Sequence, residues 1–398
     1  MSDTPSAPLS VFRATLPVTL TSFVNKCGDI GIRFFPMLVV ELGLHKDQSS
    51  LILTLVKLST FAAVFFGGVL SDKRGLAYTV QLSFILCAAG LAILAGSTDA
   101  VIICGAGMLA AFGQGLFMAP SRMLLFKIVP EKGRREGLAW FRALNNGAIM
   151  LANFIASMIA GLGLVALFAF DAFTSVLAFL LGRRLLPKDT GHRFSNADSQ
   201  SSPNQQAQEL TSEHSHKSTR KEWTRFIYTA LLCALFSCLG EIFFVATAAQ
   251  ARITFGEHGV RLYSQIYMIN TGLCMVFAVV AARLMKHVTA ALILGVLFEA
   301  GAIILFLYHK EQEAYYFIST LLQTVGEVLF TSVSLFLLIQ SIPKSQNQGR
   351  IYSTALLVQN SGKVFGAGAA MQALESPAYA SIGVLLLSAF AVFAAMAK

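Results

Sequence analysis

The sequence predicts an all-α membrane protein with twelve transmembrane helices in two six-helix bundles. Three observations carry that expectation. The 398 residues are 55% hydrophobic and only 13% charged, where a soluble domain has roughly 25% charged residues. Apolar segments near the ~20 residues that cross a bilayer as a helix recur about twelve times. The basic residues are also lopsided. With the N-terminus placed in the cytoplasm, only Lys46, Arg252, Arg261 and Lys310 fall in loops or span ends on the opposite side, as the positive-inside rule requires.

The spans are expected at 12–40, 49–70, 77–96, 100–126, 138–160 and 162–182, then at 224–250, 262–284, 288–308, 314–339, 351–372 and 377–397. Twelve spans place both termini in the cytoplasm. Residues 187–222, PKDTGHRFSNADSQSSPNQQAQELTSEHSHKSTRKE, are too polar to span or to pack a core and read as a flexible cytoplasmic linker. The linker separates an N-terminal bundle over 1–186 from a C-terminal bundle over 223–398. His214 and His216 within it read as solvated side chains. The net charge of +9 follows from basic loops facing anionic lipid and needs no nucleic acid. No charged leader followed by a small-residue cleavage site opens the sequence, so a removable signal peptide is not expected. Cys27, Cys87, Cys104, Cys233, Cys238 and Cys274 all fall in apolar segments without C-x-x-C spacing. Neither a disulfide framework nor a metal site is expected from them, and small apolar packing is their expected role.

The informative residues are the charges left inside the spans. Six cations (Lys26, Arg33, Lys57, Arg122, Arg142 and Lys363) and five acids (Asp29, Asp171, Glu241, Glu299 and Glu327) lie within or near apolar segments. Burying such a group in lipid costs several kcal/mol, so embedded charge normally marks a solute or proton path. Asn25, Asp29 and Arg33 are spaced i, i+4, i+8 and share a face of one continuous helix. That face is either a polar ladder toward a solute or a self-satisfied Asp29–Arg33 pair that fixes packing. Gly362, Gly366 and Ala370 recur every four residues and suit close helix packing.

Between the second and third spans runs GGVLSDKRGLA, in which Gly68, Leu70, Asp72, Lys73, Arg74 and Gly75 resemble the loop signature of the major facilitator superfamily. A glycine there permits close backbone approach, and Asp72 suits a helix N-terminus or an arginine at a cytoplasmic gate. The stretches 117–149, 338–368 and 168–181, the last with mid-span Asp171, resemble the superfamily branch that exports macrolides and siderophores. Two departures are visible. Ala111 stands three residues before Gln114–Gly115, where many members carry an arginine, and the fifth span lacks the proline-containing antiporter motif.

The resemblance implies a central cavity lined by spans 1, 4, 7 and 10, with 2, 5, 8 and 11 beside it. Most embedded charges then fall on cavity spans. The expected solute-binding residues are Asn25, Asp29, Arg33, Lys57, Gln114, Arg142 and Lys363, whose cations suit a carboxylate or phosphate. The expected proton-coupling residues are Glu327, then Glu241 and Asp29, because burial favours the protonated carboxyl and a nearby cation favours the carboxylate. Gly68, Asp72, Arg74 and Gly75 form the expected gating motif. Arg122 and Arg142 also suit lipid phosphate or a gate, and Asp171 and Glu299, on peripheral spans, read as buried structural acids. The implied activity is secondary active export of a small amphipathic or anionic metabolite, a drug or siderophore. The alternative is import of an anionic nutrient or siderophore by proton symport, favoured by the cationic cavity and the missing antiporter motif. A non-transporting membrane sensor is a third, different class. No enzyme is expected, since nucleotide loop, metal cluster and nucleophile elbow are all absent from the sequence. No cofactor is expected, the proton gradient being the energy source. The expected partners are solute, protons and membrane lipid, and the expected state is a monomer in a bacterial inner membrane.

Overall fold

A computed structural model of the chain describes residues 8–129, 134–187, 220–284, 288–341 and 348–396. Among the described residues there are thirteen α-helices and no strand. They are α1 (Pro8–Lys26), α2 (Gly31–Glu41), α3 (Lys46–Arg74), α4 (Leu76–Gly96), α5 (Ala100–Ile128), α6 (Arg134–Ile159) and α7 (Leu164–Leu185). After these come α8 (Arg220–Phe255), α9 (Glu257–Leu284), α10 (Val288–His309), α11 (Glu313–Ser341), α12 (Gln348–Glu375) and α13 (Pro377–Met396). Seven of them are long and apolar enough to cross a membrane on length and composition alone.

The thirteenth helix is a correction to the sequence reading. The expected span over 12–40 is two helices, α1 and α2, separated by Cys27–Ile30. Thirteen helices therefore make twelve spans. Elsewhere the helices outrun their apolar windows. Helix α3 continues to Arg74, ending in Lys73 and Arg74, and α7 ends in Arg183 and Arg184. Cations in a last turn complement the helix dipole, so these ends stay helical beyond the apolar stretch. The start of α5 is fixed by Asp99, whose carboxylate accepts from the amides of Val101 and Ile102 at 2.9 and 3.0 Å, an ordinary N-cap.

The helices fall into two sets. In the first, α4 packs on α5 and α7, α3 on α5, and α1 on α6 and α7. In the second, α12 packs on α8, α10 on α11 and α13, and α9 on α11. The sets meet where α3 packs on α12, α6 on α9, and α2 on α8. One apolar core runs through both, drawing from α2 to α7 in the first set and α8 to α13 in the second. A smaller one, including Val18, Val80, Phe84 and Leu124, serves the first set alone, at the end bearing the termini. Of the linker expected over 187–222, residues 188–219 lie outside the described residues.

Candidate functional site

The break in the first span organises the site. A Cβ on Gly28 would stand 1.7 Å from Thr174 Oγ1, and one on Gly31 would stand 2.3 Å from Leu91 and 2.9 Å from Asp171 Oδ2. Glycine at both positions lets the broken backbone press against α7 and α4. Opening α2 in mid-span exposes amides with no intrahelical acceptor. Asp171, 2% exposed, reaches across from α7 and accepts the Gly31 amide at 2.8 Å. A negative group at a helix N-terminus is favoured by charge as well as by the hydrogen bond. The mid-span acid expected to be structural thus caps a helix that sequence reading had not separated.

Asp29 sits inside the break, 5% exposed. Its Oδ2 accepts Lys26 Nζ and Arg33 Nη2, each at 2.8 Å, and its Oδ1 accepts Gln114 Nε2 from α5 at 2.8 Å. The structure therefore brings Asp29, Arg33 and Gln114 together. Asn25 does not join them. The break resets the helical phase, and Asn25 instead accepts Ser175 Oγ from α7 at 3.3 Å, so the expected three-residue ladder is a two-residue pair. Arg33 lies over the ring of Tyr267 on α9, its guanidinium carbon 4.4 Å from the ring centroid, a cation–π contact joining the two sets. Its Nη1 is buried without a hydrogen-bond partner.

Lys57 on α3 and Glu241 on α8 pair with each other at 2.6 Å, their side chains 22% and 12% exposed. Expected in separate roles, they form one ion pair between the sets. Helix α12 lies tightly on α8 at this level, as the small-residue spacing implied. A Cβ on Gly362 would stand 1.9 Å from Ala234 O, and one on Gly366 2.5 Å from Cys238 O. Next to Gly362, Lys363 is surrounded by the charges of Glu241, Lys57, Glu327 and Arg33. Among the described residues it has no partner within ion-pair or hydrogen-bond distance.

Glu327 on α11 is held by neutral amides. Its Oε2 accepts Asn270 Nδ2 at 3.1 Å and Gln323 Nε2 at 3.2 Å, and Asn270 also donates to Gln323 Oε1 at 2.8 Å. Sequence reasoning missed Asn270, Gln323 and Tyr267. The two amides had a readable signal, because an uncharged polar group in a span also needs a partner. Tyr267 had none. Arg142 is exposed on α6, and its charge reaches Cys274 on α9.

The expected gating motif is not a loop. Gly68, Asp72 and Arg74 lie in the last turns of α3, and only Gly75, at φ +95°, makes the turn into α4. Asp72 and Arg74 are exposed. A Cβ on Gly68 would meet nothing within 4 Å, whereas Gly67 faces the Leu116 backbone at 3.3 Å. The close approach belongs to Gly67.

Taken together, four cations (Lys26, Arg33, Lys57, Lys363) face three carboxylates (Asp29, Glu241, Glu327) around the seam between the sets. Of these cations, Lys363 is the one with no acid within ion-pair distance among the described residues.

Residues 19–367 match the family profile described as Major Facilitator Superfamily. No curated protein matches the chain. Among solved structures, the chain is similar to a POT family transporter in complex with 5-aminolevulinic acid, with 14% identity over 96% of this chain and 95% of that one and a TM-score of 0.75. It is similar to a peptide transporter POT in complex with sulfate, with 16% identity over 96% and 93% and a TM-score of 0.75. A D-xylose-proton symporter matches with 13% identity over 97% and 96% and a TM-score of 0.70.

Proposed function

The chain belongs to the major facilitator superfamily and is a secondary transporter, and from that premise we propose that it carries a small anionic solute together with protons by alternating access. The observation that carries this reading is the ammonium of Lys363, unpaired among the described residues, beside the Lys57–Glu241 pair. A carboxylate or phosphate on the solute supplies the missing partner. It also competes with Glu241 for Lys57. When Glu241 takes a proton, Lys57 is released to the solute, so proton and solute bind cooperatively. Cooperative binding in one occupancy is the signature of symport. An exchanger needs proton and solute to compete. This geometry therefore favours symport over the export suggested by the branch resemblance. The solved relatives named above, one with 5-aminolevulinic acid, one with sulfate and one a proton symporter, support the same reading. Two bundles over 1–186 and 223–398, both termini in the cytoplasm and residence in a bacterial inner membrane complete it.

Flux in proteoliposomes tests the proposal, with 5-aminolevulinic acid, a simple monocarboxylate, sulfate and D-xylose as probes. An acid-outside gradient is expected to raise uptake of an anionic probe about tenfold, and Lys363→Gln to remove that gain. D-xylose uptake at the same level as the anions, or no response to the gradient, overturns the reading. Uptake driven by the opposite gradient restores export by exchange.

A further inference from the structure

Behind the seam lies an acid the transport reading does not use. Glu299 on α10 is 0% exposed, and both its carboxyl oxygens are buried without a hydrogen-bond partner. Its surroundings are tight and apolar. Helix α11 is pressed onto α10 beside it, because a Cβ on Gly326 would stand 2.7 Å from Gly295 O and 3.0 Å from the Glu299 amide nitrogen. On the α8 side, a Cβ on Gly240 would stand 3.5 Å from Glu299 Oε1. One turn away the rings of Phe236 and Phe330 stack at 3.9 Å, which keeps water out. A carboxylate with no donor or cation at hydrogen-bond distance among the described residues is very costly in such a place.

The groups facing Glu299 are few. Helix α8 presents Gly240 to it, while Glu241 and Cys238 turn toward α12 and Lys57; α9 brings Cys274 within reach of its charge, and α13 brings no charged group among its described residues. Helix α11 offers Gln323, 1% exposed, and Glu327, the residue after Gly326. The charge of Glu327 acts on Glu299, and Gln323 stands beside both. No cation is paired with either acid among the described residues. Two carboxyls at one site favour the state in which only one is ionised, and the proton then belongs to the pair.

We propose that Glu299 and Glu327 share one proton, resting on Glu299, and that this pair is a proton store behind the solute seam. In the exchange step the O–H bond of Glu299 breaks, its proton bonds to a carboxylate oxygen of Glu327, and Glu299 becomes the carboxylate. The pair keeps a single negative charge throughout. Glu327 then presents the proton at the seam, with its carboxyl oriented by the Asn270 and Gln323 amides. This inference deepens the proton-coupled reading of the seam, but the proton store can be detected without any solute.

Infrared difference spectroscopy of the purified full chain in detergent, in H2O and in D2O, reads the C=O stretch of protonated carboxyls. Near neutral pH, Glu299→Gln is expected to remove one such band, and Glu327→Gln to shift it. Gln323→Leu keeps both acids and is expected to slow deuteration of that band about tenfold or more. An unchanged spectrum in Glu299→Gln means the acid is ionised and overturns the proposal. A band indifferent to both Glu327→Gln and Gln323→Leu marks an isolated buried acid and also overturns it. Should Glu299→Gln not fold, the other two variants decide the matter. Loss of flux in proteoliposomes leaves these spectra untouched, so failure of the transport reading and failure of the store are separate results.

Discussion

Asp29 gathers Lys26, Arg33 and Gln114 onto two carboxylate oxygens, and its neighbours differ in what they lose without it. Asp29→Asn leaves two cations face to face. Their side chains are 22% and 18% exposed, so water recovers part of the penalty, and the expected destabilisation is about 1–3 kcal/mol. Arg33→Met leaves Asp29 with Lys26 and Gln114, so its expected cost is smaller, about 1 kcal/mol. The double variant is expected to fall short of the sum by about 1 kcal/mol. Thermal unfolding in detergent measures all three. Transport measured in parallel separates packing from solute contact. If Arg33→Met abolishes uptake of an anionic probe while the melting point barely moves, Arg33 meets the solute. If uptake falls only as far as stability does, the pair is a packing device.

At the scale of helices, the junction of α1 and α2 is the feature the sequence concealed. The count of spans and the burial of charge were legible because both follow from composition: lipid excludes charge, and ~20 apolar residues cross it. The break at Cys27–Ile30 was not, because Gly28 and Gly31 are also ordinary in unbroken membrane helices. What makes them a junction is contact with α7, some 140 residues away, and no local pattern records that. The Asn25 assignment failed for the same reason, since i, i+4, i+8 spacing holds only while the helix continues. Four variants at this junction follow. Asp171→Asn keeps an oxygen acceptor for the Gly31 amide and is expected to cost under about 1 kcal/mol, while Asp171→Leu strands that amide and costs about 1–3 kcal/mol. Gly28→Ala drives a methyl into Thr174 and is expected to cost about 1–3 kcal/mol. Adding Thr174→Ala removes the nearest atom, and partial recovery is expected because the Asp171 Cα remains 3.0 Å away. Melting curves of the four variants check the order, and recovery absent in the double variant rules out this packing account.

For the molecule as a whole, the described contacts between the two sets gather at the end away from the termini. There Arg252 at the end of α8 pairs with Glu41 at the end of α2 at 2.5 Å, and Lys46 at the start of α3 pairs with Glu375 at the end of α12. The continuous apolar core lies at the same end of the first set. In the proposed alternating-access cycle these contacts part when the seam opens on that side, so they are expected to act as a latch. Their strength has to be modest. The Lys46 and Glu375 side chains are 50% and 43% exposed, those of Arg252 and Glu41 20% and 33%, and exposed pairs contribute about 0–1 kcal/mol each. Removing both with Lys46→Ala and Arg252→Ala is expected to shift the balance toward the open state by about 1 kcal/mol, or roughly fivefold. Spin labels at the facing ends of α3 and α12, read as a distance distribution, measure that population. Salt offers an internal control. Raising ionic strength screens the pairs, so it is expected to lengthen distances in the unmodified chain and to have little effect in the double variant. The exchanged pair Lys46→Glu with Glu375→Lys is expected to return the closed distribution. A distribution unmoved by either variant or salt assigns closure to the apolar core alone.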